Sequence, residues 1–186
     1  MKLDSKLLKR IAVSVFVAIV VLVIMSYKYH FYYFFLRLIT PRTNKAENNE
    51  KISELHPVFA YKVGRFINEL ERNGSNVTIT SGFRSFEKQS ELYNSGITPA
   101  PPGSSFHNYG QAVDINVDNL VQASSVQAWS PVAELAKNKY GFRWGGDFQG
   151  NWDKVHFDNG NFYKMEQLKK LYNENEIVNN KYVKIF

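Results

Sequence analysis

With 186 residues, 44% of them hydrophobic and 22% charged, the chain has room for one globular domain plus an appendage, and wholesale disorder is excluded. It contains no cysteine, which rules out disulfides, thiolate metal sites and a cysteine nucleophile. The net charge of +6 is lopsided: residues 1–45 hold eight Lys/Arg against Asp4 alone, and the remainder holds fifteen basic and sixteen acidic residues. A folded part without a basic excess of its own is not built to grip nucleic acid.

Ile11–Met25 runs fifteen residues without a charge, short of the about 20 residues that a hydrocarbon core of roughly 30 Å asks of a helix. Leu7, Leu8 and Tyr27 extend it, and Lys9 and Arg10 are placed to snorkel. The run ends in Ser26-Tyr27-Lys28, a poor cleavage site, so the pattern predicts an uncleaved transmembrane helix over 11–27 rather than a signal peptide. Four basic residues within the first ten predict a cytoplasmic N-terminus over 1–10, hence a single-pass protein of the inner (cytoplasmic) membrane with its domain outside. The aromatic cluster Tyr27–Phe35 fits a headgroup belt. Thr40–Glu50 is polar, and residues 28–50 read as a juxtamembrane segment and linker.

From Lys51 the pattern turns helical, with Leu55, Val58, Phe59, Val63, Phe66, Ile67 and Leu70 at three- and four-residue steps and Gly74 as a stop. Val77–Thr80 is a short β-branched strand. Ser85 caps a helix through Tyr93, and Thr98–Ser105 (TPAPPGSS) is a loop. Residues 113–118 alternate, Val113, Ile115 and Val117 against Asp114, Asn116 and Asp118, the signature of a strand with one buried face. Ser130-Pro131 predicts a helix start and Gly141 its end. Residues 141–158 suit short strands joined by turns, Tyr163–Tyr172 a closing helix, and 173–186 is a polar tail. Interspersed helices and short strands without βαβ regularity predict an α+β domain, a small antiparallel sheet with flanking helices, over 51–172.

Two stretches carry the chemistry. His107 precedes Asp114 on the alternating strand, and Asp153 stands three residues before His156. Two imidazoles and a carboxylate make a three-ligand set that leaves one position of a catalytic zinc open, and a further carboxylate beside them can move the proton of an attacking water. No helical HExxH is present. Asp147 and Asp158 are also available, and spacing alone does not rank the carboxylates.

Three motifs, Ser81-Gly82-Phe83-Arg84-Ser85, then Ser105-x-His107-x-x-Gly110-x-Ala112-x-Asp114, then Trp144-Gly145-Gly146-Asp147 with Trp152-Asp153-x-x-His156-Phe157, resemble in order and spacing those of the D-alanyl-D-alanine carboxypeptidase superfamily of zinc peptidases. That superfamily is related in fold to lysostaphin-type enzymes and the Hedgehog signalling domain. The match spans roughly 53–172 and is most similar to the L-alanyl-D-glutamate peptidase branch known from endolysins and cell-wall hydrolases. The carboxypeptidase branch tends to carry a glutamate base, where this chain has Asp153. The resemblance implies that His107, Asp114 and His156 bind Zn2+, that Asp153 is the general base, that Arg84 stabilises the oxyanion or holds a substrate carboxylate, and that Ser105 binds substrate. It further implies action on peptidoglycan stem peptides, at the L-Ala–D-Glu bond or, alternatively, on D-Ala-D-Ala termini. A binding module that kept only the fold is the remaining alternative, and the retained Asp153 argues against it.

Overall fold

The computed structural model describes residues 5–149, 153–178 and 182–185. The element order is α1 (Ser5–Ile39), α2 (Ala46–Glu54), α3 (Pro57–Arg72), β1 (Val77–Ser81), α4 (Phe86–Asn94), a 3-10 turn (Phe106–Tyr109), β2 (Ala112–Val117), α5 (Val126–Tyr140) and β3 (Arg143–Trp144). A second 3-10 turn (Gly145–Asp147), β4 (His156–Asp158), α6 (Met165–Asn173) and the pair β5 (Ile177–Val178) and β6 (Tyr182–Val183) complete it. The main sheet has the order β1-β2-β4-β3, every neighbouring pair antiparallel. The α+β reading with flanking helices therefore agrees with the architecture.

The alternation of β2 sets the two faces of the sheet. Val113, Ile115 and Val117, with Val77 and Ile79 of β1, are buried against Phe59, Val63, Phe66 and Ile67 of α3 and against Trp129, Ala133 and Ala136 of α5. Asp114 and Asn116 point to the other, half-buried face. A second cluster joins Phe106 and Tyr109 of the first 3-10 turn to Leu168 of α6 and to Val183 and Ile185 of the C-terminal segment. The polar tail thus reaches back to support the turn that carries His107.

The expectation of a transmembrane helix does not hold. Among the described residues no helix is long and apolar enough to cross a membrane. The single-pass inner-membrane placement and the membrane as a partner fall with it. The charge-free run is fifteen residues, and the helix containing it does not stop near Tyr27 but continues to Ile39. That continuation belongs to the domain: Tyr33 and Leu36 are buried, and the Arg37 guanidinium donates to the Leu55 carbonyl at 3.0 Å and to the Tyr182 hydroxyl. Two local boundaries also differ from the sequence reading. Residues 46–50, expected in the linker, join 51–54 in α2. Helix α5 begins at Val126, a turn earlier than Ser130-Pro131 suggests, because the Ser125 hydroxyl caps it by accepting from the Ala128 N–H at 3.2 Å. Pro131 sits inside the helix, where it lacks the N–H that would otherwise bond to the Gln127 carbonyl.

A buried polar knot fastens α1 to the domain. His56, fully buried, is the N-cap of α3; its Nδ1 accepts from the Val58 N–H at 3.2 Å. The ring proton is therefore on Nε2, which faces the Val183 carbonyl at 3.0 Å and the Tyr33 hydroxyl at 3.1 Å. The Tyr33 hydroxyl donates to the Ile185 carbonyl at 2.9 Å and accepts from the Ile185 N–H at 3.0 Å. The His56 N–H itself donates to the Gly110 carbonyl at 3.0 Å, so the knot abuts the end of the His107 turn. Burial pushes the His56 imidazole down to about 3, against the opposing pull of the Val183 carbonyl. An unfolded chain protonates this ring near pH 6.5. Its contribution to stability is thus complete above that value and is lost as the pH falls from about 6.5 toward 3. A His56→Asn variant keeps a capping acceptor. In denaturant titrations it should be less stable than wild type at neutral pH yet lose less stability between about pH 6.5 and 4; parallel losses in the two proteins would contradict the assignment.

Candidate metal centre

The antiparallel register between β2 and β4 pairs Asp114 directly with His156. His107 arrives from outside the sheet on the 3-10 turn that follows the proline-rich loop. The Ser105 hydroxyl caps that turn by accepting from the His107 N–H at 3.3 Å. Gly110 closes it at φ 63°, a left-handed conformation in which a Cβ would lie 2.6 Å from the His56 nitrogen; glycine alone fits there without strain. The turn is laced to the segment after β1: the Arg84 N–H donates to the His107 carbonyl at 3.0 Å, and the Asn108 amide donates to the Arg84 carbonyl at 2.9 Å.

Three atoms converge. His107 Nε2 and His156 Nδ1 are 3.2 Å apart, and Asp114 Oδ1 lies 3.0 Å from His156 Nδ1 and 3.3 Å from His107 Nε2. Ligands at about 2.0–2.1 Å from a tetrahedral ion stand about 3.3 Å from one another, so the triangle has the size of one face of such a site. The outer nitrogens fix the tautomers. His107 Nδ1 lies 2.6 Å from the Gly82 carbonyl, an acceptor only, and His156 Nε2 lies 3.1 Å from Asp158 Oδ2. Both outer nitrogens therefore carry their protons, and both inner ones present lone pairs. Two lone pairs and a carboxylate oxygen facing one another, with no donor among them, call for a cation. Burial opposes a charge on His156, but its hydrogen bonds to Asp114 and Asp158 outweigh it and push the imidazole up to about 10. Burial likewise works against the Asp114 carboxylate, and the two histidines more than offset it, holding the group far below the usual carboxylate range.

Around this triangle lies a cleft of about 580 Å³ lined by Arg84, Ser105, Arg143, Phe148, Asp153 and Asp158 among others. Asp153 is half-buried; its carbonyl accepts from the His156 N–H at 3.1 Å and its own N–H donates to the Gly145 carbonyl at 3.1 Å. Burial raises its carboxyl, the nearby Asp114 charge adds to the rise, and His156, His107 and Arg84 oppose it. Arg84 Nη2 is 3.7 Å from Asp114 Oδ2 and donates to the Ser81 hydroxyl at 3.0 Å, while Nη1 donates to Gln89 Oε1 at 2.9 Å.

All six residues singled out in the sequence thus meet at one cleft. Others were not foreseen. Gln89, fully buried in α4, holds Arg84 and at 2.7 Å the Ala100 carbonyl of the proline-rich loop; its place one helical turn after the Ser85 cap was the available signal. Asp158, one of two unranked carboxylates, backs His156 and pairs with Arg143 through bonds of 2.8 and 2.7 Å. Asp147 instead pairs with Lys137 at 2.8 Å, away from the triangle. Trp144 and Tyr109 are buried and donate to the Lys154 and Gly103 carbonyls, and Trp152 lies outside the described residues.

A family profile described as D-alanyl-D-alanine carboxypeptidase matches residues 99–159, which contain the three converging residues and Asp153. Peptidoglycan L-alanyl-D-glutamate endopeptidase CwlK of Bacillus subtilis (strain 168) is 34% identical over 124 residues, 57% of this chain and 74% of that protein. Among solved structures, the L-Ala D-Glu endopeptidase ChiX of Serratia marcescens is similar at 24% identity and a TM-score of 0.48, covering 64% of this chain and 91% of that one. A vancomycin-resistance D,D-pentapeptidase VanY in complex with Zn(II) is similar at 22% identity and a TM-score of 0.42, covering 64% and 78%. Being 34% identical to CwlK over an alignment that covers 74% of that protein, this chain belongs to the D-alanyl-D-alanine carboxypeptidase family of metallopeptidases.

Proposed function

We propose that the chain is a zinc peptidase that cuts peptidoglycan stem peptides at the L-Ala–D-Glu bond, with His107, Asp114 and His156 as the metal ligands and Asp153 as the general base. The observation that carries the reading is the triangle of proton-free acceptors at 3.0–3.3 Å with a half-buried carboxyl beside it. An all-N/O set of three ligands with an open fourth position is the donor chemistry of a hydrolytic zinc. The choice of bond rests on the relationship to CwlK.

His107, Asp114 and His156 would hold the zinc, which would supply Lewis acidity toward the attacking water and the scissile carbonyl. Asp153 accepts the proton of the attacking water and delivers it to the leaving amine; a carboxyl raised by burial is better matched to both transfers. Arg84, immobilised by Ser81, Gln89 and Asp114, holds a permanent positive charge where negative charge grows on the carbonyl oxygen. The Ser105 hydroxyl uses a lone pair on the His107 N–H, which leaves its proton for a substrate carbonyl.

Asp153→Ala should lower kcat by about 10²–10⁴ while metal analysis still finds one zinc per chain; undiminished turnover would remove Asp153 from the mechanism. The bond is identified by digesting defined muropeptides with the full chain and weighing the products. Cleavage at L-Ala–D-Glu yields a peptide with a new D-Glu N-terminus, and a chelator should abolish it. Release of D-Ala alone would instead establish the D,D-carboxypeptidase reading that the family description favours.

A further inference from the structure

The cleft is lined, among the described residues, by two guanidinium groups, and their surroundings differ. The fork of Arg84 is spent on the protein: Nη1 on Gln89, Nη2 on Ser81 and, at 3.7 Å, on Asp114. Arg143 is held along one edge only. Its Nε and Nη2 form a bidentate pair with Asp158, which is 1% exposed, and its Nη1 has no hydrogen-bond or ion-pair partner among the described residues. The guanidinium carbon lies 5.0 Å from the Phe106 ring centroid and 5.1 Å from that of Phe148. A Cβ on residue 160 would stand 2.4 Å from Arg143 Nε, so Gly160 is what leaves room for the group. The side chain is 38% exposed. It is a cation fixed in place by a buried carboxylate and two rings, with one N–H edge unspent.

We propose that Arg143 is a specificity-determining residue that receives the free carboxylate of the substrate residue on the leaving side of the cut bond. The inference rests on the stem-peptide reading above. In an L-Ala–D-Glu bond the glutamate supplies the leaving amine, and only one of its two carboxyls continues the chain, so the other is a free anion next to the reaction centre. The Arg143–Asp158 pair does not cancel the attraction, because the Asp158 carboxylate is already shared with His156 at 3.1 Å and with the Gly160 N–H at 2.7 Å. A guanidinium held in its binding geometry also loses little side-chain entropy on meeting a carboxylate. The same pair ties substrate choice to the metal site, since Asp158 orients His156 on one side and Arg143 on the other.

The test is steady-state kinetics of the zinc-loaded full chain on two peptides identical except that the D-Glu carries its free carboxylate in one and a carboxamide in the other. A charged hydrogen bond lost with the amide should raise KM about tenfold to a hundredfold with little change in kcat, the pattern of a binding contact that does not tighten in the transition state. Arg143→Gln should raise KM for the carboxylate peptide to that of the carboxamide, with zinc content measured alongside. Arg143→Lys supplies the comparison should the glutamine protein lose its metal: one ammonium is consumed by Asp158, and the preference should vanish there too. Equal KM for both peptides in wild type, or a full preference in either zinc-loaded variant, overturns the role of Arg143 alone. Failure of wild type to cut either peptide overturns the stem-peptide reading and this proposal with it.

Discussion

Three acceptor atoms face one another across a gap that none of them can fill. His107 Nε2, His156 Nδ1 and Asp114 Oδ1 stand within 3.3 Å of each other, an arrangement that would be repulsive without a cation between them. Most of the surrounding structure serves to hold it. The cross-strand register of β2 and β4 brings Asp114 opposite His156. Gly82 and Asp158 engage the outer ring nitrogens, and a capped 3-10 turn, braced by α6 and the C-terminal segment, delivers His107.

The hydrophobic face of the sheet makes this precision affordable. Val113, Ile115 and Val117 alternate with the functional side and are clamped beneath α3 and α5, so a one-residue slip of β2 would place valine where Asp114 belongs. Strand register and metal geometry are thus one constraint. The supporting groups form a continuous chain: Asp158 joins His156 to Arg143, and Gln89 joins Arg84 to the proline-rich loop. The arginines lining the cleft and the three converging side chains therefore share supporting neighbours.

Local pattern revealed a good deal of this. The alternation at 113–118 marked β2 and its polar face, Ser85 marked the start of α4, and the resemblance of the motifs, rather than spacing alone, singled out His107, Asp114, Asp153 and His156. What it hid was long-range. Residues 46–50 read as linker because they are polar, yet Asn48 is fully buried, its Oδ1 accepting from the Ile79 N–H and its Nδ2 donating to the Val77 carbonyl. An edge strand is satisfied there by a side chain, which composition cannot distinguish from a solvated loop. The apolar run near the N-terminus read as a complete anchor because nothing local shows that Tyr33 bonds to Ile185, 152 residues away. The Arg143–Asp158 pair emerges only once β3 and β4 are known to be neighbours.

The central claim concerns which atoms face the ion, and anomalous diffraction at the zinc edge from a crystal of the zinc-loaded chain tests it most directly. The account predicts a single zinc bonded to His107 Nε2, His156 Nδ1 and Asp114 Oδ1 at about 2.0–2.2 Å, with Asp158 still on His156 Nε2. A zinc held through His156 Nε2, or seated away from these three residues, would contradict it.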